Sequence, residues 1–164
     1  MKKIVLAAFA AAIATPAIAA PGDTDTAAGT ATATIVAPIS VDHVAGEALA
    51  FGTITAGNGG TVTVDLAGTV TDNGDDAVVL TGSTTSADAF TLSGDANRSI
   101  TVTVGGGVLT GPGTDMAFTT TDNAPAALDG SGAGSFSVGG TLTVGDTQTP
   151  GSYSGTYTVT ASYN

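Results

Sequence analysis

Apolar and polar residues alternate in short runs along most of the chain. In residues 61–66, valine and leucine occupy one parity while threonine and aspartate occupy the other. The same alternation occurs in residues 99–104, 135–138 and 141–144. A period of two residues is typical of strands with one buried and one solvated face, and the β-branched threonines favour strands over helices. The pattern therefore predicts an all-β chain.

Clusters of Gly, Asn, Asp and Pro separate these runs. They lie at residues 57–60, 72–75, 105–107, 111–113 and 138–140. Such residues favour turns because they tolerate the backbone angles that turns require. Short alternating strands with turn signals at this spacing predict an antiparallel β-sandwich.

The first 19 residues have the layout of a secretory signal peptide. Lys2 and Lys3 precede an apolar run over residues 4–13, and Ala17 and Ala19 form a small-x-small cleavage signal. The apolar run is too short to span a membrane. We therefore expect residues 1–19 to be removed and the mature chain, without a membrane span, to be exported to the cell surface or the extracellular medium.

The composition excludes several kinds of function. The chain has 3 Lys and Arg residues against 14 Asp and Glu, one His and no Cys. Because nucleic acids require a basic surface, they are excluded as a main partner. The lack of cysteine excludes disulfides, thiolate catalysis and Cys-ligated metals.

His43 is the only histidine, so a Ser/His hydrolase would have to use it. Asp42 beside it could orient the imidazole, but no serine lies in a G-x-S-x-G nucleophile motif. We expect His43 to be a solvated or strand-edge residue, and the protein to be neither an enzyme nor a cofactor-binding protein. A secreted hydrolase stays open as an alternative.

The last fourteen residues, 151–164, form the longest alternating segment, which predicts a long C-terminal strand. All three tyrosines of the chain lie on its apolar parity. That parity comprises Tyr153, Tyr157, Val159, Ala161 and Tyr163. The segment is either a final core strand or one side of a subunit interface.

A second alternating segment, residues 26–36, lies near the other end of the chain. Its apolar parity is made of small residues with one exception at the end, namely Ala27, Gly29, Ala31, Ala33 and Ile35. Small side chains bury little surface, so this strand would add little to its own core. It could instead insert into a neighbouring subunit by β-strand addition. The alternative is a flexible linker.

Three sequence stretches resemble known families. They are Leu-Ala-Phe-Gly-Thr-Ile at residues 49–54, Gly-Gly-Thr-Leu-Thr-Val at 139–144 and the Pro-Gly-x-Tyr-x-Gly-x-Tyr run within 149–159. They resemble a Gram-negative secreted family described only as a domain of unknown function, the 4402 type. They are also similar to the spore-coat-U-like subunits of archaic chaperone–usher pili.

The second resemblance implies an incomplete Ig-like sandwich that the N-terminal strand of the next subunit completes. It also implies a periplasmic chaperone and an outer-membrane usher as partners, with Gly151 and Tyr163 at the ends of the chaperone-binding strand. Two features depart from this family. The chain has no disulfide, and the side chains of residues 26–36 are smaller than usual.

Three carboxylates cluster in the turn at residues 72–76. Asp72, Asp75 and Asp76 supply ligand types that Ca²⁺ prefers, but without the distal Glu or the spacing of an EF-hand. A solvated turn with an Asn-Gly pair explains them equally well.

Taken together, the sequence predicts a structural subunit of a filament or surface assembly that polymerises with copies of itself by strand complementation. Residues 20–36 form the extension with the candidate donor strand, and residues 37–164 form the Ig-like β-sandwich. The alternative is a monomeric secreted module that binds carbohydrate or Ca²⁺.

Overall fold

The computed structural model describes Gly22, residues 24–72 and residues 77–164. Every regular element within these residues is a β-strand, which confirms the all-β prediction. None of them forms a helix, so no helix fit to cross a membrane is found among them. The strands are β1 (Ser40–His43), β2 (Ile54–Thr55), β3 (Gly60–Val64), β4 (Val70–Asp72), β5 (Val78–Val79), β6 (Asp88–Ser93), β7 (Ile100–Val104), β8 (Gly107–Leu109), β9 (Met116–Asp122), β10 (Ala133–Val144) and β11 (Val159–Tyr163).

The chain divides into two compact units, Met1–Thr34 and Ile35–Asn164. In the first unit, the described residues 24–34 are exposed and contain no strand. The second unit contains the eleven strands of the described residues. The predicted signal peptide, residues 1–19, lies outside the described residues.

Seven strands form one antiparallel sheet. Its main path is β1-β6-β10-β3-β4, and β9 pairs with β10 and with β8. Two small sheets, β7-β11 and β2-β5, accompany it, and both are also antiparallel.

Strand β10 is the longest strand and organises the large sheet. Its first half pairs with β6 and its second half with β3, while β9 pairs with its middle. The sequence prediction of a turn at residues 138–140 is wrong, because Gly139 and Gly140 are buried within this strand. A Cβ on Gly139 would collide with the carbonyl oxygen of Val64, so the missing side chain lets β3 approach. Glycine here serves close packing rather than chain reversal.

Residues 100–110 pass from one sheet to another. Strand β7 pairs with β11, and β8 belongs to the large sheet, with Gly105 and Gly106 between them. The C-terminal segment runs alongside both β7 and β8. Ser154 and Thr110 form an isolated β-bridge, and Gly105 N donates to the Thr158 carbonyl. The pairing register differs by one residue between these two points, which places a bulge at the glycines.

The long C-terminal strand predicted for residues 151–164 is therefore only partly correct. Its regular part is β11, five residues long, preceded by an isolated bridge at Ser154. Residues 155–158 form no strand. The bulge in the facing segment interrupts the ladder there.

Two clusters of buried apolar residues form the core. Most residues of the first cluster come from β3, β9 and the second half of β10. Those of the second cluster come mainly from β6 and the first half of β10, and residues of β7 and β11 pack against them. Tyr157 packs against both clusters. Each fully buried Val, Leu or Phe side chain contributes about 1.5–3 kcal/mol. The members are Phe51, Val62, Val64, Ala77, Met116, Phe118, Leu142 and Val144 in the first cluster, and Phe90, Leu92, Ile100, Leu128, Phe136 and Val138 in the second.

Threonines on the other parity pair across the large sheet. Thr71, Thr63, Thr141 and Thr119 occupy one row on four neighbouring strands. The hydroxyls of Thr63 and Thr141 are 2.9 Å apart. Such cross-strand pairs stabilise a sheet without charge.

We expect Gly139→Ala to lower the free energy of unfolding by about 1–3 kcal/mol, because the added methyl would press on the Val64 carbonyl and separate β10 from β3. Gly130→Ala is the matched control, since its Cβ would meet only Asn97 Oδ1, at 3.9 Å. Urea unfolding measures both. Equal stability of the two variants would contradict the packing role of Gly139.

Candidate functional site

Strands β1 and β11 each leave one backbone edge without a partner among the described residues. Val44 N donates to Ala89 O, so the alternating antiparallel pattern directs the backbone groups of Val41 and His43 away from β6. Asn164 N donates to Ser99 O, and by the same rule Val159, Ala161 and Tyr163 direct their groups away from β7.

The two open edges belong to neighbouring strands. At one end they are joined, because the Tyr163 hydroxyl donates to the Ala37 carbonyl at 2.9 Å. Unpaired strand edges are templates for another strand.

A cavity of about 340 Å³ lies at the other end of these strands. We call it the edge groove. Residues 155–157, which precede β11 and form no strand, supply one wall, and the end of β1 with residues 48–51 supplies the other. The lining residues are His43, Ala48, Leu49, Phe51, Asp88, Phe90, Leu109, Phe118, Gly155, Thr156 and Tyr157.

Aromatic rings form much of the groove surface. The Tyr157 ring meets Phe90 edge-on at 6.2 Å between centroids and meets Phe118 at 6.1 Å. Leu49, Phe51 and Leu109 extend the apolar lining. This lining suits an aliphatic side chain better than a polar substrate.

A polar bridge joins the two walls of the groove. The Asp88 carboxylate is buried, with 5 % of the residue exposed. Its Oδ1 lies 2.7 Å from His43 Nε2 and accepts from Ala89 N at 2.8 Å, and its Oδ2 accepts from the Tyr157 hydroxyl at 2.6 Å. His43 lies at the end of the edge strand β1, and Asp88, rather than the Asp42 proposed from sequence, orients its ring. Asp42 instead accepts from the Ser40 hydroxyl.

Burial and the hydrogen bond to the Asp88 carboxylate raise the pKa of Tyr157 well above its usual value near 10. The phenol would become an anion beside a buried carboxylate, so ionisation is disfavoured. The hydroxyl therefore stays a donor to Asp88 over the whole physiological pH range.

Tyr163 anchors the end of β11 to the body of the protein. Besides donating to Ala37 O, its hydroxyl accepts from Asp95 N at 2.7 Å. The Arg98 guanidinium carbon lies 5.7 Å from the centre of its ring. The ring is thus held from two sides, at the end of β11 away from the edge groove.

The other residues singled out in the C-terminal segment lie before the groove. Gly151 has φ of +151°, and a Cβ there would collide with Pro112. Tyr153 packs against the first core cluster, and its hydroxyl donates to the Thr149 carbonyl at 2.8 Å. Of the predicted set, the edge groove contains Tyr157, while the open edge contains Val159, Ala161 and Tyr163.

The candidate donor residues form no strand and are exposed. Ala27, Gly29, Ala31 and Ala33 are exposed, and Ile35 has 95 % of its surface exposed.

The structure brings no metal site together among the described residues. No group of three or more His, Asp and Glu side chains there could hold an ion. Asp72 Oδ2 accepts from Val79 N at 3.0 Å, which connects β4 to β5. Asp75 and Asp76 lie outside the described residues.

Sequence reasoning missed Asp88 and Phe118 as parts of the site. A signal for Asp88 exists, because it shares the parity of Phe90 and Leu92 and so belongs to the buried face of β6. A carboxylate at such a position must find hydrogen-bond donors. Phe118 carries no such signal, since its position at the groove depends on long-range pairing.

A family model described as "Domain of unknown function (DUF4402)" matches residues 39–163. This range includes all eleven strands and every residue that lines the edge groove. No curated protein and no solved structure gives a significant match to the chain.

We expect Tyr157→Phe to lower the free energy of unfolding near neutral pH by about 1–3 kcal/mol, because Asp88 Oδ2 loses its donor in a buried place. Since the pKa of Tyr157 is raised in the folded state, its stabilising effect is complete below about pH 10 and declines as the pH rises further. Urea unfolding at about pH 8 and about pH 11 measures the free energy of unfolding of the unmodified protein and of the Tyr157→Phe variant. We expect the difference between the two free energies to be smaller at the higher pH. Tyr153→Phe is the control, because its hydroxyl donates to an exposed carbonyl. A gap that stays constant with pH would contradict the role of the Tyr157 hydroxyl.

Proposed function

The chain belongs to the DUF4402 family, and from this starting point we propose that it is a structural subunit of an extracellular filament or surface assembly that polymerises by β-strand complementation. The observation that carries the proposal is the pair of open edges on β1 and β11, with the apolar edge groove at one end of these two strands. The role is structural and involves neither catalysis nor a cofactor.

In this proposal the protein is an incomplete Ig-like sandwich. The large sheet forms one layer, and the β7-β11 pair forms part of the other. A strand added along the open edge of β11 would bond the outward backbone groups of Val159, Ala161 and Tyr163. Backbone bonds supply affinity in this kind of binding, and side-chain pockets supply specificity.

Residues 26–36 of a second copy are the proposed occupant. Residues 26–35 are exposed, none of the range forms a strand, and its apolar parity ends in Ile35, the most exposed large apolar residue of the described chain. The rest of that parity is alanine and glycine, which can lie over a shallow surface. The small core of the body and the absence of disulfides favour completion by a neighbour.

The direction of the inserted strand follows from where the extension leaves the body. Ala37 lies beside Tyr163, so a subunit's own extension departs at that end of β11. If the incoming strand ran parallel to β11, its Ile35 would come last at the Tyr163 end and the two bodies would compete for one place. An antiparallel strand places the incoming body at the edge groove, at the opposite end. Such a head-to-tail contact joins one copy to the next, and it gives a filament when its rotation does not close into a ring.

The similarity to spore-coat-U-like pilins supports two further parts of this proposal. A periplasmic chaperone would occupy the open edges before assembly, and an outer-membrane usher would assemble the subunits at the cell surface. The exported location follows from the signal-like residues 1–19.

Deletion of residues 20–36 tests the donor. We expect the shortened protein to be secreted and folded, with unchanged strand content by circular dichroism, but to form no filaments by electron microscopy. Undiminished filaments from the deleted chain would refute the proposal.

A single added charge tests which parity of the donor is buried. We expect Ala31→Asp to reduce filament mass more than about tenfold, because it would bury an unpaired carboxylate against β11. Thr32→Asp adds the same charge on the other parity and should leave filaments at the level of the unmodified protein. Negative-stain microscopy and sedimentation measure both, and equal effects of the two substitutions would contradict the buried parity.

A further inference from the structure

We propose that the donor strand binds β11 in a single register, with Ile35 as its only large anchor in the edge groove. This inference rests on the proposed function and adds the pairing that the residues themselves specify. In this register Ile35 lies opposite Tyr157, Ala33 opposite Val159, Ala31 opposite Ala161 and Gly29 opposite Tyr163.

The available space decides where the large residue goes. Beside β11 the interior is already filled, because Ile39, Val41, Val159 and Ala161 pack against the second core cluster. A donor there can present only small side chains. The edge groove at Tyr157, with about 340 Å³, accommodates a larger one. The donor segment has small residues where it would lie beside β11 and a large one where it would reach the groove, since alanines are followed by isoleucine at its end.

The smallest donor residue meets the largest side chain of β11. Tyr163 is fixed by hydrogen bonds to Ala37 and Asp95, so its ring cannot move aside without breaking them. Gly29 opposite this ring leaves it in place. A residue with a side chain at that position would press on an immobile group.

The outward parity is compatible with this register. It places Thr34 opposite Thr158, Thr32 opposite Thr160 and Thr30 opposite Ser162. These are hydroxyl pairs of the kind that the large sheet already contains at Thr63 and Thr141.

Other registers lose one of these matches. A shift by one residue would turn the whole apolar parity to solvent. A shift by two toward Tyr163 removes Ile35 from the groove. A shift by two the other way places Ala27, rather than Gly29, opposite the immobile Tyr163 ring.

A chain cannot fill its own groove in this register. Tyr157 and Tyr163 are six residues apart, about 20 Å along an extended strand. Ala37 is hydrogen-bonded to Tyr163, and the two residues from Ile35 to Ala37 span at most about 7 Å. Even with the length of the Tyr163 side chain, Ile35 cannot reach Tyr157 of the same molecule, so the donor must come from a second copy.

The absence of cysteine makes disulfide trapping a clean test. The full mature chain with Thr34→Cys and Thr158→Cys is assembled and oxidised, then separated without reductant in denaturing gels. We expect a ladder of covalent multimers, because these positions would be directly opposite, within the reach of a disulfide. The matched control combines Thr34→Cys with Ser162→Cys, about 13 Å farther along the strand, and should give monomers only.

The outcomes separate the register from the function. A ladder from the Ser162→Cys pair and not from the Thr158→Cys pair would overturn the antiparallel register while leaving strand exchange in place. Filaments by microscopy with no ladder from either pair would overturn the register alone. A covalently closed monomer from the Thr158→Cys pair would overturn exchange between copies.

The anchor is tested separately in the full chain. We expect Ile35→Ala to speed dissociation of filaments in urea more than about tenfold, whereas Ile35→Leu keeps the bulk and should change the rate less than about threefold. Equal rates for both variants and the unmodified protein would show that the edge groove does not hold Ile35.

Discussion

Unsatisfied backbone on two facing strand edges is the constraint on which the rest of this molecule depends. Within residues 24–72 and 77–164, strand β1 pairs only with β6 and β11 pairs only with β7, so each has one edge without a strand partner there. The backbone groups of an exposed edge can hydrogen-bond to water. Beside an apolar groove, such an edge is also a template for pairing with a further strand. The Asp88 carboxylate holds His43 on one wall of that groove and Tyr157 on the other.

Local sequence pattern was sufficient for the strands whose two faces differ. Alternation located β3, β7 and both halves of β10, since each has apolar residues on one parity and threonine or serine on the other. It failed at Gly139 and Gly140, because two adjacent glycines usually mark a turn and only the approach of β3 and β9 shows that they are needed inside a strand. It also overestimated the C-terminal strand, because the bulge that interrupts it lies in a different part of the chain.

The candidate site was predictable in part for the same reason. The parity of Tyr157, Val159, Ala161 and Tyr163 is a local property, and the sequence alone distinguishes it. The edge groove depends on which strands pair, a long-range outcome that a period of two residues does not encode. The buried position of Asp88 lies between these cases, since its parity is readable but its two side-chain partners are 45 and 69 residues away.

The single hydroxyl of Tyr163 has a mechanical consequence. It ties the start of the body at Ala37 to the end of β11 and to the backbone of Asp95. In a filament of the proposed kind, a pull on the chain would enter the body at that junction and run along β1. The hydrogen bonds between β1 and β6 would then carry the load together in shear rather than open one after another. Resistance to tension would thus be a property of where the extension is attached, and it would not require a large core.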